Sequence, residues 1–495
     1  MTPISLTNSN QLLAHWKSLE SVHVWDLIEC LLQFASHDPG LFRDAFESHR
    51  FDAEMQASAK VWEAWYPENV GHGSFYDLDD AEAWLRTDVF NFQNAAELEA
   101  WCVSAAYELA DQLATMFGNQ IFARDEILQR FSGSDAPLPP GRLIPITRDS
   151  RVAENYSGYL PSRGQSVDRK PDRLWNCRLL PDTKDVKVSI HTKYFAQLDD
   201  LLNRNNATVF ATGVLNWNDE WTMDKIVDKG VNYIVKVRPA ADDQWSRIEK
   251  LVKCAEAQKV DVLILPELCV CPDLQGRLIE HFRSRKSEHL IRLLVAGSVH
   301  VFNGHPGPAE QQNEARVVLR NERNYGWSHR KFQAFRDERK QEFELLRPPP
   351  PVQIHLYLGR NLSIAILCCK DFLSDAVVGL LHELQPTHVF VPAHSVKTDL
   401  FSTHAGRLAV CAQSRVVIAN GWLPWKADRT LAHGLAEGRH SEARCAYFAM
   451  PHAVWAESGK LPIVQPLKLA DIEQLPALCV FNEPSETPEC KWIYC

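Results

Sequence analysis

Val262-Leu263-Ile264-Leu265-Pro266-Glu267 is the stretch on which the reading of this chain turns. Four consecutive apolar residues stopped by a proline give a short run with no helical period. That is the pattern of a strand covered on both faces, as in a sheet buried between layers. A carboxylate follows at the strand end, where partial desolvation raises its pKa toward that of a useful general base. Taken alone, Glu267 is explained at least as well as a surface or first-turn glutamate.

Two further segments change the balance. Ser363-Ile364-Ala365-Ile366-Leu367-Cys368-Cys369 is a second apolar run, ending in two thiols and followed by Lys370 and Asp371. A strand-end thiol that opens into a helix meets backbone N–H groups that favour the thiolate. Tyr325-Gly326-Trp327-Ser328-His329-Arg330-Lys331 brings an ammonium group after a strand and turn. Each residue singly has an ordinary structural explanation: a core cysteine, a solvated lysine. In the order Glu, Lys, Cys they supply a base, an oxyanion stabiliser and a nucleophile, the needs of a cysteine amidohydrolase.

Working outward, residues 228–450 alternate strand-like and helix-like patterns. Strands are expected at Val231–Val237, Val260–Leu265, Ile291–Ala296, Ala315–Leu319, Ile354–Tyr357, Leu362–Cys368, Thr387–Val391 and Arg415–Ala419. Trp245, Ile248, Leu251, Val252 and Ala255 mark an amphipathic helix, and helices fit 273–285, 374–384 and 404–413. Such alternation indicates an α/β domain.

The ordered set of segments resembles the nitrilase, or carbon–nitrogen hydrolase, superfamily over roughly 228–450. Leu263–Glu267 resembles its strand-Pro-Glu motif. Gly297, Ser298 and Asn313 match the small-residue turn and Asn-containing hairpin that follow, and His329–Phe335 resembles the Tyr-Arg-Lys segment. The Cys-x-Asp register selects Cys369 over Cys368, which points to the opposite strand face.

The resemblance implies a four-layer α–β–β–α sandwich at 228–490. It also implies a Glu267, Lys331, Cys369 triad, supported by a second glutamate seven or eight positions after the lysine. Glu338 stands at seven, with Glu342 a weaker candidate. The implied reaction is hydrolysis of a non-peptide C–N bond through a thioester, with amide or carbamoyl substrates favoured over nitriles and no metal or organic cofactor. Family members associate through helical faces, so a homodimer or larger assembly is expected. His329 stands where Tyr is usual, and Phe372-Leu373-Ser374-Asp375 departs from the usual pocket segment, so substrate class does not transfer.

At 495 residues the chain exceeds one ordinary core. Residues 1–131 read as a mostly helical domain, with Leu12, Leu13, Trp16 and Leu19, then Trp25, Ile28, Leu31 and Leu32, at helical spacing. A capped helix is expected from Asn94 to Gly118. Residues 132–227, rich in Pro, Gly, Ser and charge, read as a linker and irregular arm with some order from 186. The net charge of −10 is uneven: residues 1–130 hold 21 Asp/Glu against 7 Lys/Arg. That acidity disfavours a nucleic-acid partner.

No signal-peptide pattern and no long apolar run are visible, so a reduced cytoplasmic protein with no membrane span is expected. Its thirteen cysteines then count as thiols. A competing reading keeps the α/β domain as a weak or inactive metabolite sensor, with the acidic helical domain as its effector or partner-binding module, possible in a bacterial defence setting.

Overall fold

The structure is a computed structural model of the chain. Apart from breaks of one or two residues, it describes residues 22–47, 75–76, 123–131, 136–147, 174–202, 208–284, 291–302, 311–320, 327–346, 352–421, 446–451, 463–464, 474–482 and 489–495. Scattered helical positions between 103 and 114 complete the description. The chain divides into two compact units. The first comprises 1–132, 138–146 and 160–183; the second comprises 133–137, 147–159 and 184–495.

In the first unit, strand β1 (Val22–His23) pairs with β2 (Phe75–Tyr76), and β3 (Leu143–Pro145) pairs with β4 (Cys177–Leu179). Helices α1 (Val24–Ala35), α2 (Pro39–Glu47) and α3 (Arg124–Phe131) accompany them. Trp25 is fully buried and meets Phe131 edge to face at 5.9 Å. Trp16, Trp62, Trp65, Trp84 and Trp101 lie outside the described residues, as do both ends of the Asn94–Gly118 helix. Within that helix Val103, Ala106, Tyr107, Ala110 and Ala114 are helical and buried.

The second unit has two seven-stranded sheets. The first runs β12 (Trp327–Arg330), β11 (Gln311–Leu319), β10 (Leu293–Phe302), β9 (Val262–Ile264), β6 (Val209–Val214), β21 (Ala477–Asn482) and β22 (Glu489–Tyr494). The second runs β20 (Ile463–Val464), β19 (Ala446–Ala449), β18 (Arg415–Asn420), β17 (His388–Ala393), β16 (Ser363–Ile366), β15 (Gln353–Leu358) and β5 (Lys187–His191).

Strand parity sorts the side chains into layers. Val262 and Ile264 join Val295, Phe390, Ile366, Val417 and Phe481 between the sheets. Leu263, Leu265, Leu294 and Val480 face outward onto Ile248, Leu251, Leu278 and Phe282 of helices α5 (Gln244–Ala257) and α6 (Pro272–Ser284). Gly213 of β6 lets the Leu251 side chain pack close, since a Cβ there would force that side chain to move. The second sheet carries α7 (Asp375–Leu384) and α8 (Asp399–Cys411), which bury Val377, Leu381, Phe401 and Leu408. The order helix, sheet, sheet, helix is the four-layer α/β sandwich.

A smaller sheet, β13 (Arg336–Asp337), β14 (Glu342–Glu344), β8 (Val231–Pro239) and β7 (Trp221–Asp228), stands beside the sandwich strands. Among the described residues no helix is long and apolar enough to cross a membrane.

One boundary needs correction. Residues 184–227, assigned above to the linker and arm, belong to the sandwich unit. Strand β5 pairs in parallel with β15 at a sheet edge, helix α4 (Phe195–Leu202) buries Leu198 and Leu201, and β6 lies inside the first sheet beside β9. Polar residues and short elements disguised them: β5 alternates lysine, serine and histidine with its two buried apolar residues.

Candidate active site

The three candidate groups stand just beyond strand C-termini, on loops that the two sheets hold together. After β9 the chain turns through Pro266 to Glu267, which forms a bridge to Ser298. The turn needs Gly297: its φ is +69°, and a Cβ there would lie 2.7 Å from the Pro266 carbonyl oxygen. The Glu267 N–H reaches across to the Ala393 carbonyl at the end of β17 at 3.3 Å, tying the loop to the second sheet. Lys331 follows β12, and its N–H donates to the Asn313 carbonyl at 2.8 Å.

Beyond β16, Cys368 is extended and fully buried. Cys369 then takes a left-handed φ of +46° and opens a 3-10 turn, Cys369–Leu373. Strain of this kind in a non-glycine residue persists where surrounding structure fixes it, and sites of chemistry are its usual home. The turn also sends Asp371 toward the lysine loop. Its carboxylate accepts from the N–H groups of Phe332 (3.2 Å) and Gln333 (2.8 Å) and from His329 Nε2 (2.9 Å). Asp371 therefore locks the nucleophile turn to the two residues after Lys331, and His329 contributes a third bond to that lock.

Lys331 is 2 % exposed, and its ammonium donates to two carboxylates. Nζ lies 2.7 Å from Glu267 Oε1 and 2.7 Å from Glu344 Oε2. Burial opposes its charge, but the two carboxylates overcome that and hold it well above the ordinary lysine range. Asn313 Nδ2 bridges the same pair, 2.9 Å from Glu267 and 3.0 Å from Glu344. His300 Nδ1 accepts the Val237 N–H at 3.1 Å, so Nε2 carries the proton and donates to Glu344 at 2.9 Å. Burial opposes ionisation of Glu344, yet Lys331 and His300 hold it far below the usual carboxylate range. Glu267 moves the other way, raised by burial and by the Glu344 charge against the pull of Lys331.

Cys369 is 7 % exposed, its thiol lying 3.9 Å from the His394 carbonyl and near enough to Glu267 to feel its charge. Burial and the Glu267 charge push it well above the ordinary thiol value. Burial beside a carboxylate thus outweighs the backbone N–H groups of the turn, which favour the thiolate. The arrangement is a neutral thiol facing a carboxylate that can take its proton.

A second correction concerns the supporting carboxylate. Glu338 is exposed, and its described hydrogen bond uses its backbone carbonyl, which accepts from Gln341 Nε2 at 2.7 Å. Glu342 pairs with Lys225 at 2.6 Å. The residue on the lysine is Glu344, thirteen positions beyond it, because the chain turns back through β13 and β14 before returning. Its flanking Phe343 and Leu345 were the available signal: a glutamate set in an apolar stretch. Asn313, noted above as a motif position, bridges both carboxylates.

The layered sandwich carries this constellation at the ends of its strands. No family model and no curated protein matches the chain. Among solved structures it is similar to an amidase from Nesterenkonia sp. at 17 % identity, covering 57 % of this chain and 92 % of that one, with a TM-score of 0.38. It is also similar to a glutamate-to-glutamine mutant of the Nesterenkonia sp. AN1 amidase, at 17 % identity, the same coverage and a TM-score of 0.37. That mutant shows covalent addition of the acetamide moiety of fluoroacetamide at its active-site cysteine. A cysteine-to-alanine mutant of the AN1 amidase, described as from the nitrilase superfamily, matches at 16 % identity and a TM-score of 0.37 over the same shares of the two chains.

Proposed function

We propose that this chain is a cysteine-dependent hydrolase of carbon–nitrogen bonds other than peptide bonds, acting on an amide or carbamoyl compound in preference to a nitrile. The observation that carries the reading is the buried Lys331 ammonium, clamped 2.7 Å from both Glu267 and Glu344 beside the Cys369 thiol. A desolvated charge of this kind is costly to keep for packing alone.

In this reading Glu267 takes the thiol proton as sulfur attacks the carbonyl carbon. The carbonyl oxygen gains the negative charge and meets Lys331, with the Lys370 backbone N–H as a second donor. Protonated Glu267 then gives its proton to the leaving nitrogen, and ammonia or an amine departs from the acyl-enzyme thioester. Water enters, loses a proton to Glu267 and attacks the thioester; the acid leaves and the thiol reforms. Glu344 stays ionised throughout, so Lys331 keeps a counter-charge while Glu267 is protonated. A homodimer or larger assembly of the sandwich unit accompanies the proposal.

The test is ammonia release from a panel of amides, carbamoyl compounds and nitriles. Turnover in wild type that survives Cys368→Ala and is lost in Cys369→Ala supports the reading. Absence of turnover and of acyl adduct across the panel overturns it in favour of a small-molecule sensor.

A further inference from the structure

Strand β22 is the last strand at one edge of the first sheet and pairs there with β21. The two run antiparallel, with Cys479 opposite Trp492 and Cys490 opposite Phe481. Cys479 and Cys490 are therefore diagonal neighbours on one face of the ribbon. That face looks into the layer between the sheets. Cys479 and Phe481 are fully buried in it, and Cys490 and Trp492 pack against it from the edge. Leu478, Val480 and Ile493 point the other way, onto the outer helices.

The sulfurs of Cys479 and Cys490 lie 3.1 Å apart. Two thiols that merely fill a core sit farther apart, at the sum of their van der Waals radii. A disulfide bond is about 2.05 Å long, so about 1 Å separates this contact from a covalent bond. As an edge strand, β22 can supply that movement, because among the described residues no further strand holds its outer side. Exposure across the pair is graded. Cys479 is sealed in the core, whereas Cys490 is half-buried and gives an oxidant its way in. Other buried thiols are poorer targets. Burial holds Cys177, Cys269, Cys368 and Cys369 above the ordinary thiol value, and a protonated thiol is a weak nucleophile.

We propose that Cys479 and Cys490 are an oxidation site, a dithiol that a hydroperoxide closes into a reversible disulfide, fastening the edge strand to the sheet. The inference is independent of the hydrolase reading, since neither residue belongs to the constellation of Glu267, Lys331 and Cys369. In the first step the Cys490 sulfur attacks a peroxide oxygen. The O–O bond breaks, water leaves and Cys490 becomes a sulfenic acid. In the second step the Cys479 sulfur attacks the Cys490 sulfur. The S–O bond breaks, and the hydroxyl leaves as water with the Cys479 proton. The two thiols lose two electrons in all, and one hydrogen peroxide becomes two waters. A small thiol reverses the bond by exchange.

The test uses the full chain, reduced and then freed of reductant, with hydrogen peroxide as the oxidant. The expected result is an intact mass lower by two hydrogens, a peptide map that joins Cys479 to Cys490, and full reversal by dithiothreitol. The link forms in wild type and in Cys369→Ala and is lost in Cys490→Ser. A disulfide restricts the unfolded chain, so the oxidised protein melts several degrees above the reduced one, and Cys490→Ser shows no such difference.

Cys490→Ala, which keeps an apolar contact with the core, repeats the comparison if the serine variant does not fold. Separate sulfenic or sulfinic acids on these residues without a link, or a link between other cysteines, overturns the site. A Cys479–Cys490 link that leaves the melting temperature unchanged overturns the fastening of the strand.

Discussion

Lys331 stays charged although it is almost wholly buried, because two carboxylates share it, and removing either leaves an imbalance. Glu344→Gln is expected to cost about 3–5 kcal/mol of stability, the usual effect of breaking a buried ion pair from one side. It is also expected to lower kcat by roughly a hundredfold through a misplaced ammonium. Glu338→Gln, at an exposed position, should change stability by less than about 0.5 kcal/mol. Chemical denaturation and steady-state rates check both. Glu344 is held below its ordinary value of 4.5, so its contribution is complete above that value and lost as pH falls below it. The stability gap between wild type and Glu344→Gln should therefore narrow on acidification.

Glu267 is displaced upward, so its basic form is reached only above the ordinary glutamate value of 4.5. The acid limb of kcat/KM should lie correspondingly higher; a limb at or below 4.5 contradicts the assignment. At this scale the sequence displayed Glu267 and Cys369, because each sits next to an apolar run; Lys331 follows the mixed strand Trp327–Arg330 and was marked by its order between them. The sequence did not display Glu344, whose meeting with Lys331 depends on a return path through β13 and β14 that no local period records.

Elements set the positions of these residues through a few turn contacts. Gly297→Ala forces a Cβ to 2.7 Å from the Pro266 carbonyl at a φ of +69°. A loss of about 1–3 kcal/mol is expected, with a fall in activity as the Glu267 loop shifts. Asp371→Asn keeps the size of the lock but removes its charge, so Lys331 and Cys369 should lose their mutual placement. The expected signature is a drop in kcat larger than the rise in KM. Strands such as β9, β16, β17 and β18 were legible because they are buried on both faces and carry apolar runs. β5 was hidden for the opposite reason: as an edge strand its side chains alternate with polar residues, and its partner β15 lies over 160 positions on. The histidine at 329 has a clear local role: its ring donates to Asp371 where a phenol could do the same.

The whole molecule places the chemistry where its two sheets meet, with Glu267 from one, Cys369 from the other and Lys331 after the edge strand β12. The sandwich unit takes in the chain from 184 rather than from 228. A chain cut at 228 should therefore fail to fold, because it would lack β6 from the middle of the first sheet. Limited proteolysis and circular dichroism of 184–495 against 228–495 check this. The sequence pattern that marks the acidic first unit as helical carried no chemistry.

The chemistry stands on one covalent event. The most direct measurement is intact-protein mass after mixing with a turned-over amide and rapid acid quench, with the modified peptide mapped. An acyl adduct on Cys369 is predicted in wild type, diminished in Glu267→Gln, which lacks the base for acylation, and absent in Cys369→Ala. Turnover with no adduct, or an adduct on Cys368, contradicts the triad and its thioester.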